Sequence, residues 1–208
     1  MSATPNRYGP RSNDDVLRLV KEHPLVWVLS LDPANPMASM LPVIPVAGPE
    51  GEVTTLVGHF ARHNPHVAVL KQNPRALVLA QGVNGYISPS WMQDKTRAPT
   101  WNYTWAQFVT DLEFFDEPGE IAAHLHEMVD TNEVGRPNAW SVDMMGARYP
   151  TLAKGVIGFR AHVRETRTKF KLGQDERDSE FSDITVALGA AGGGPLLDWM
   201  RAFNPGRT

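Results

Sequence analysis

Three apolar runs with β-strand character follow one another closely near the start of the chain, and they constrain the fold more than any other feature. Residues 25–31 read LVWVLSL, and similar runs occupy residues 38–46 and 53–57. Runs of this composition favour strands, and the Gly-containing segment before the third run is typical of a turn. Successive strands with short connections indicate a meander. We therefore expect a sheet whose first three strands are neighbours.

The second apolar run carries a signal of its own, because it contains Pro42 and Pro45. Proline lacks the backbone N–H that a central strand donates to its neighbour, so it is confined to edge strands and bulges. We therefore predict that this run is an edge strand or is interrupted by a bulge.

The remaining elements follow from periodicity and from helix start and stop signals. Strands are expected at 76–80, 156–163 and 169–172, with extended chain at 86–91 and further strand within 101–115. The predicted helices are 14–23, 65–72, 117–132, 181–188 and 196–203. Together these elements predict a single α+β domain over residues 1–208, with residues 1–10 and 190–208 as peripheral or mobile tails.

Composition and charge exclude several classes of protein. The chain has no cysteine, which excludes disulfide scaffolds and thiolate-based catalytic or metal sites. The formal net charge is −3 and the basic residues are dispersed, so a nucleic-acid partner is not expected. The start of the chain lacks the apolar core of a signal peptide, and no apolar run approaches the length of a membrane span. We therefore expect a cytoplasmic protein without membrane contact.

The segment after the third strand, residues 58–66, is the first candidate site. Gly58 allows a sharp turn, His59 offers a nitrogen ligand, and Arg62 offers a bidentate fork for a phosphate or carboxylate. Asn64 followed by Pro65 is a typical helix start, and a helix N-terminus attracts anions. These residues predict a binding site for the anionic group of a cofactor. The alternative is a plain strand-to-helix turn with His and Arg on the surface.

Aromatic residues mark a second and a third candidate site. Tyr86 and Trp91 follow a Gly/Asn turn at the end of a buried strand, and they could line a pocket for a planar ring or form an aromatic corner of the core. Trp101, Tyr103 and Trp105 come soon afterwards. This density of tryptophan is typical of a subunit seam, and it is equally compatible with a wall that binds a ring.

Four ordered motifs carry a family resemblance. They are GHFARHNP (58–65), QGVNGYISPSW (81–91) with Lys95, PTWNY (99–103), and GVIGFRAHV (155–163) followed by KFKLGQD (169–175). With these motifs the chain resembles the PaiB-like family, whose members are often labelled FMN-binding negative transcriptional regulators. The resemblance implies a split β-barrel with peripheral helices, and a homodimer that binds its cofactors between subunits.

The resemblance also implies two alternatives for the cofactor. In the FMN alternative, Arg62 and the helix start at Asn64 hold the phosphate, and the tryptophan cluster packs against the flavin ring, in a regulator or an oxidoreductase. The other cofactor-binding residues implied by the motifs are Tyr86, Trp91, Trp101, Tyr103, Lys169 and Gln174.

The haem alternative follows from departures from the usual family pattern, such as Met92 after Trp91 and Gly173-Gln174-Asp175 near the end of the last motif. One branch of the family, the piperazate synthases, binds haem b and forms an N–N bond within N5-hydroxyornithine, an amino-acid substrate. By this resemblance we expect an enzyme of that kind.

In that enzyme His59 would be the axial iron ligand, since imidazole commonly binds haem iron. Arg62 would pair with a propionate or with the substrate carboxylate. His63 or Lys95 would act as the base that takes a proton from the substrate amine. A cofactor carrier without turnover is a third alternative.

Overall fold

The computed structural model describes residues 6–207. Six strands lie in this part of the chain: β1 (Leu25–Ser30), β2 (Ala38–Ala47), β3 (Val53–Ala61), β4 (Arg75–Ile87), β5 (Thr100–Phe115) and β6 (Val156–Lys171). The α-helices are α1 (Asn13–Glu22), α2 (Pro65–Gln72), α3 (Pro118–Glu133), α4 (Tyr149–Ala153), α5 (Asp178–Ala190) and α6 (Gly194–Phe203). Short 3-10 helices span Pro89–Trp91 and Val142–Arg148. No helix in residues 6–207 has the length and apolarity needed to cross a membrane.

The strands form a closed antiparallel barrel in the order β1-β2-β3-β6-β5-β4. The barrel closes because β1 pairs with both β2 and β4, where Trp27 lies opposite Met40 on one side and Leu79 on the other. This architecture confirms the predicted split barrel with peripheral helices, and it confirms that the first three strands are neighbours.

In the barrel order β2 lies between β1 and β3, but each half of β2 pairs with only one of them. Residues 38–42 pair with β1 and residues 43–47 pair with β3, so Pro42 and Pro45 each lie where one side of the strand is unpaired, as predicted for an edge. The alternative prediction, a bulge, agrees with a shift of register between Val46 and Ala47. Proline is tolerated in β2 because neither proline is paired on both sides.

Alternating side chains of the strands fill the barrel. Phe60, Phe108, Phe159 and Phe170 come from three different strands and are fully buried. Gly58 was expected to allow a sharp turn, but it lies within β3 instead. A Cβ atom at this position would lie 2.7 Å from the ring of Phe159, so glycine is needed there for close packing rather than for a turn.

Helix α2 begins and ends where the sequence predicts. Asn64 is its N-cap, and the side-chain Oδ1 accepts a hydrogen bond from the backbone N–H of His66 at 3.0 Å. Pro65 occupies the first helical position, where its missing N–H has no intrahelical partner to lose. Asn73 ends the helix before Pro74.

Helix α6 packs on the outside of the barrel, within the segment 190–208 that was predicted to be a peripheral or mobile tail. The side chains of Trp199 and Met200 are completely buried. The Phe203 ring stacks on Phe170 of β6 at 5.2 Å between centroids, and Trp199 Nε1 donates to Glu22 of α1 at 2.8 Å. The segment joins the core because its apolar residues recur with helical spacing, which gives α6 an apolar face that packs against the barrel.

Candidate functional site

An open groove of about 680 Å³ lies on the outer surface of β1, β4 and β5. Its walls are mainly apolar. The aromatic and polar side chains that line it are Trp27, Gln81, Asn84, Trp101, Tyr103, Thr104, Trp105 and Gln107. Cavities of this size with a few polar groups are typical of small-molecule sites.

Strand alternation explains why these tryptophans face outwards. Val26 and Val28 point into the barrel, so Trp27 between them points out and is 43% exposed. In β5, Asn102 and Thr104 are buried, so Trp101 and Tyr103 lie on the outer face. Trp101 is 52% exposed, which is exceptional for so large an apolar side chain.

A β-bulge shapes one end of the groove. The register between β4 and β5 shifts between Gln81 and Asn84. Bulges redirect the side chains that follow them, and here Tyr86 is brought opposite Trp101, with 5.8 Å between ring centroids. Thr104 borders the groove, but its side chain is buried on the inner side of β5, as are those of Asn102 and Ala106.

Two lysines of β6 border the groove. Lys169 lies opposite Trp105 and Lys171 opposite Tyr103 in the strand register. The Lys169 ammonium is 5.6 Å from the centroid of the Tyr103 ring, and Lys171 Nζ donates to Thr100 Oγ1 at 2.5 Å. The groove therefore combines a flat aromatic surface with two adjacent positive charges.

His59 and Arg62, the pair predicted to share one cleft, do not line this groove. His59 points outwards from β3 and lies under α3, where its Nδ1 is 3.0 Å from Nε2 of His124. Burial lowers the pKa of His59, and burial together with the neighbouring His59 lowers the pKa of His124 to about 4.

The Arg62 guanidinium is engaged by its own chain. It donates to the carbonyl oxygens of Lys154 at 3.1 Å and Val156 at 2.9 Å, and it forms an ion pair with Asp116 at 3.1 Å. These contacts join the end of β3 to the segments that precede α3 and β6. The roles predicted for His59 and Arg62 towards a cofactor stay predictions.

The other predicted residues are dispersed. His63 is exposed in the turn before α2, and the Asn64 amide donates to Ser39 Oγ at 3.4 Å in addition to its capping role. Lys95 Nζ donates to the backbone oxygen of Ser90 at 2.8 Å, outside the groove lining. Trp91 packs against the hydrophobic core from a 3-10 helix.

Gln174 has a structural role in the turn after β6. Its Nε2 donates to the Phe170 oxygen at 2.6 Å, and its Oε1 accepts from the Leu172 N–H at 2.7 Å. Of the predicted site residues, the structure thus brings together Tyr86, Trp101, Tyr103 and Lys169. Among residues 6–207 no cluster of three or more His, Cys, Asp or Glu side chains could hold a metal ion.

Sequence reasoning missed part of the groove, namely Trp27, Leu79 and Lys171. Strand alternation was the signal that could have found Trp27, because it has the opposite parity to Val26 and Val28 in the predicted strand. Lys171 could have been found in the same way, since it alternates with the buried Phe170. Leu79 gave no such signal, since its place in the groove depends on the closure between β1 and β4.

Comparison with known proteins identifies the family. Residues 3–165 match the family model described as "Putative FMN-binding domain". The chain belongs to this family. It is 25% identical to the Bacillus subtilis protein named protease synthase and sporulation protein PAI 2, over 88% of this chain and 87% of that protein. The PaiB-like resemblance of the four motifs is thereby confirmed.

Solved structures share the fold. The FAD and haem binding protein from Mycobacterium smegmatis superposes with a TM-score of 0.59 at 16% identity, covering 83% of this chain and 78% of that chain. The flavocytochrome Anf3 from Azotobacter vinelandii superposes with a TM-score of 0.55 at 12% identity, covering 77% and 68% respectively. At these identities the comparison establishes the split-barrel fold.

Proposed function

We propose that the protein binds FMN in the aromatic groove, at the seam of a homodimer. One observation carries this proposal: a bare aromatic groove of about 680 Å³ lies beside two lysines on the outside of a barrel from an FMN-binding family. The groove is open, so a second copy of the chain would have to supply its other wall. Trp and Tyr are favoured residues in such seams.

The residues present fit a flavin. Trp101 and Trp105 offer ring faces for stacking, and the amides of Gln81, Asn84 and Gln107 offer hydrogen bonds to the polar edge of the ring. A bound flavin would supply a reversible acceptor for hydride or electrons, and the dry aromatic walls would keep water away from its ring.

The phosphate would be held by Lys169 and Lys171 rather than by Arg62. Both lysines border the groove. Arg62 instead forms an ion pair with Asp116 and donates to two backbone carbonyl oxygens at and just before the start of β6. Ammonium groups bind phosphate as point charges. This assignment keeps the predicted Lys169 and adds its neighbour on the same face of β6.

Titration with FMN and with riboflavin tests the assignment, because the two ligands differ only in the phosphate. We expect Lys169→Gln combined with Lys171→Gln to weaken FMN binding about tenfold or more and to leave riboflavin binding nearly unchanged. Flavin fluorescence would report both affinities. Lys21→Gln on α1 is the matched control. Equal losses for the two flavins, or an equal loss in the control, would refute the phosphate role.

The homodimer is tested separately by sedimentation of the purified protein. We expect a dimer, and we expect Trp101→Asp to yield a folded monomer, because a charge in the groove prevents burial of that face. A wild-type monomer at every concentration would remove the seam from the proposal, while FMN binding could still be measured.

A second candidate function is a haem-dependent cyclase that forms the N–N bond of piperazate, and the His59–His124 contact favours it. Metal-binding histidines commonly orient their ring through a hydrogen bond from the other nitrogen. The Nδ1 of His59 has such a contact at 3.0 Å, which would leave Nε2 for iron. Haem would supply a Lewis acid that polarises the N–O bond of N5-hydroxyornithine.

In this reaction the α-amine attacks N5, the N–N bond forms and the N–O bond breaks. The hydroxyl leaves as water with a proton from the amine, so no external oxidant is needed. Because the α-amine is protonated at neutral pH, His63 or Lys95 would first have to take one proton from the ammonium group, so that a neutral amine attacks. The protein as isolated should then show a Soret band that His59→Ala abolishes or shifts, and it should cyclise N5-hydroxyornithine. A flavin spectrum without a Soret band would rule this candidate out.

A further inference from the structure

A second pair of cavities lies on the other side of the barrel, and neither belongs to the groove. One cavity of about 380 Å³ lies between the starts of α3 and α4 and is lined by Arg62, Asp116, Tyr149 and Lys154, among others. The other, of about 240 Å³, is apolar and lies between α3 and α4. Tyr149 and Ala153 line both cavities, so the two adjoin. We call the pair the helical cleft.

The two ends of the helical cleft differ in chemistry. At the polar end, Arg62 and Lys154 oppose a single carboxylate, that of Asp116, which already pairs with Arg62. Lys154 itself is exposed, so one positive charge remains for an anion. The apolar end is lined by Leu125, Val129, Trp140, Val142, Met145, Leu152 and Val156.

Tyr149, which lines both cavities, carries a buried hydroxyl. The Tyr149 oxygen is inaccessible to solvent and has no hydrogen-bond partner among the described residues. Buried polar groups almost always have a partner, and an unpaired one is destabilising. A ligand oxygen at this position would satisfy the hydroxyl.

Exposed apolar side chains point to the other part of the ligand. Leu152 is 48% exposed and Trp140 is 39% exposed, although both line the apolar cavity. An apolar chain inserted between α3 and α4 would remove their surface from water, which favours binding. The combined cavity falls within the range of about 300–1,000 Å³ that is typical of small-molecule sites.

We propose that the helical cleft binds an amphiphilic monocarboxylate, with its carboxylate at Lys154 and Tyr149 and its alkyl chain between α3 and α4. The site is separate from the groove, since the groove is built on β1, β4 and β5 and the cleft on α3, α4 and the turn after β3. The proposal does not depend on FMN binding in the groove.

Octanoate is the first probe, with octanol and acetate as the matched neutral and short-chain ligands. Binding would be followed by NMR of protein labelled at the methionine methyl groups, because Met145 lines the apolar cavity. We expect octanoate to shift the Met145 signal, octanol to shift it at higher concentration, and acetate to leave it in place. Absence of any octanoate shift, or equal affinity for octanol, would overturn the proposal.

Variants separate the two ends of the ligand. We expect Lys154→Gln to weaken octanoate binding about tenfold and to leave octanol binding unchanged. Tyr149→Phe should weaken octanoate by a smaller factor without disturbing the fold, since only the oxygen is removed. Lys21→Gln is the control for a general loss of charge. If Lys21→Gln weakens octanoate as much as Lys154→Gln does, attraction to the cleft is not specific and the proposal fails.

Discussion

The two sides of the barrel present opposite outer surfaces, although strand alternation produces both. On β1, β4 and β5 the outward side chains are aromatic and bare, as shown by Trp27 and Trp101. On β3 and the start of β6 the outward side chains are covered, since His59 lies beneath α3 and contacts His124. One side is covered by a helix of the chain itself, and the other is bare, which is why we propose a flavin and a second copy there. An outer strand face with exposed side chains and no covering helix therefore indicates the candidate site better than the type of residue does.

Substitution beneath the helical cover should have the largest effect on stability. Ile121 of α3 is 3% exposed, so Ile121→Ala removes buried methyl groups and leaves a cavity. We expect a loss of about 2–5 kcal/mol in the free energy of unfolding, measured by urea denaturation. A loss below 1 kcal/mol would show that α3 covers the barrel only loosely, and the contrast between the two sides would disappear.

Substitution on the bare side should affect association instead. Trp101→Ala is expected to weaken the dimer or FMN binding by about 2 kcal/mol or more, because buried tryptophans dominate interface energies. The unfolding free energy of the monomer should change by no more than about 0.5 kcal/mol, as for other exposed positions. Sedimentation and urea denaturation together measure the two quantities. A large loss of monomer stability would mean that Trp101 belongs to the core.

Acid should destabilise the folded chain through buried imidazoles such as that of His66 on α2. This residue is fully buried, its Nδ1 lies 2.9 Å from Ser39 Oγ, and burial lowers its pKa. The unfolded chain therefore binds a proton more readily than the folded chain. Stability is retained above the unfolded pKa of about 6.5 and falls as the pH drops below it.

The contribution of one such group is at most about 1.4 kcal/mol per pH unit. Burial also lowers the pKa of His23, His59 and His124, so these groups contribute to the pH dependence as well. The test therefore compares the slope of the unfolding free energy against pH in the variant and in the wild type. His66→Gln should flatten the pH dependence of unfolding between pH 6.5 and 5 by at most one proton, relative to the wild type. An unchanged slope would contradict the assignment.

The cap of α2 should have a smaller effect. Asn64→Ala removes the acceptor for the His66 N–H, and we expect a loss of about 1 kcal/mol in the free energy of unfolding. Asn64→Asp is the matched control, because aspartate retains the capping oxygen. If the two substitutions cost the same, the loss comes from the contact between Asn64 and Ser39 rather than from the cap.

The smallest effect is expected at an ion pair exposed to solvent. Arg164 pairs with Asp111 at 2.8 Å, and its side chain is 63% exposed. Arg164→Gln should change stability by no more than about 0.5 kcal/mol, and less at high salt. Thermal denaturation at low and high salt measures this. A loss above 1 kcal/mol would show that Arg75 and Arg164 act on Asp111 as a network.

Local sequence signals predicted the bounds of helices and strands far better than the contacts between them. The bounds of α2 follow from Asn64, Pro65 and Asn73, because capping and proline act within a few residues. By contrast, His59 and His124 are distant in sequence and meet only because α3 folds back over β3. No pattern near either residue encodes that contact.

The family resemblance implied a barrel, but no local pattern showed which strands close it. The pairing between β1 and β4 gives β1 a second neighbour, and it brings Trp27 beside Leu79 in the groove. The aromatic cluster from Tyr86 to Tyr103 was predictable because it lies on adjacent strands joined in sequence. The helical cleft was not, since it depends on how α3 and α4 pack against each other.

The contact between α1 and α6 has a consequence for folding during synthesis. Trp199 reaches back to Glu22, and Phe203 rests on Phe170, so the first helix and the last strand both lack a cover until α6 has emerged from the ribosome. Domains with such distant contacts fold slowly because long loops must close first. A nascent chain halted before Trp199 should therefore expose the end of its barrel and recruit chaperones.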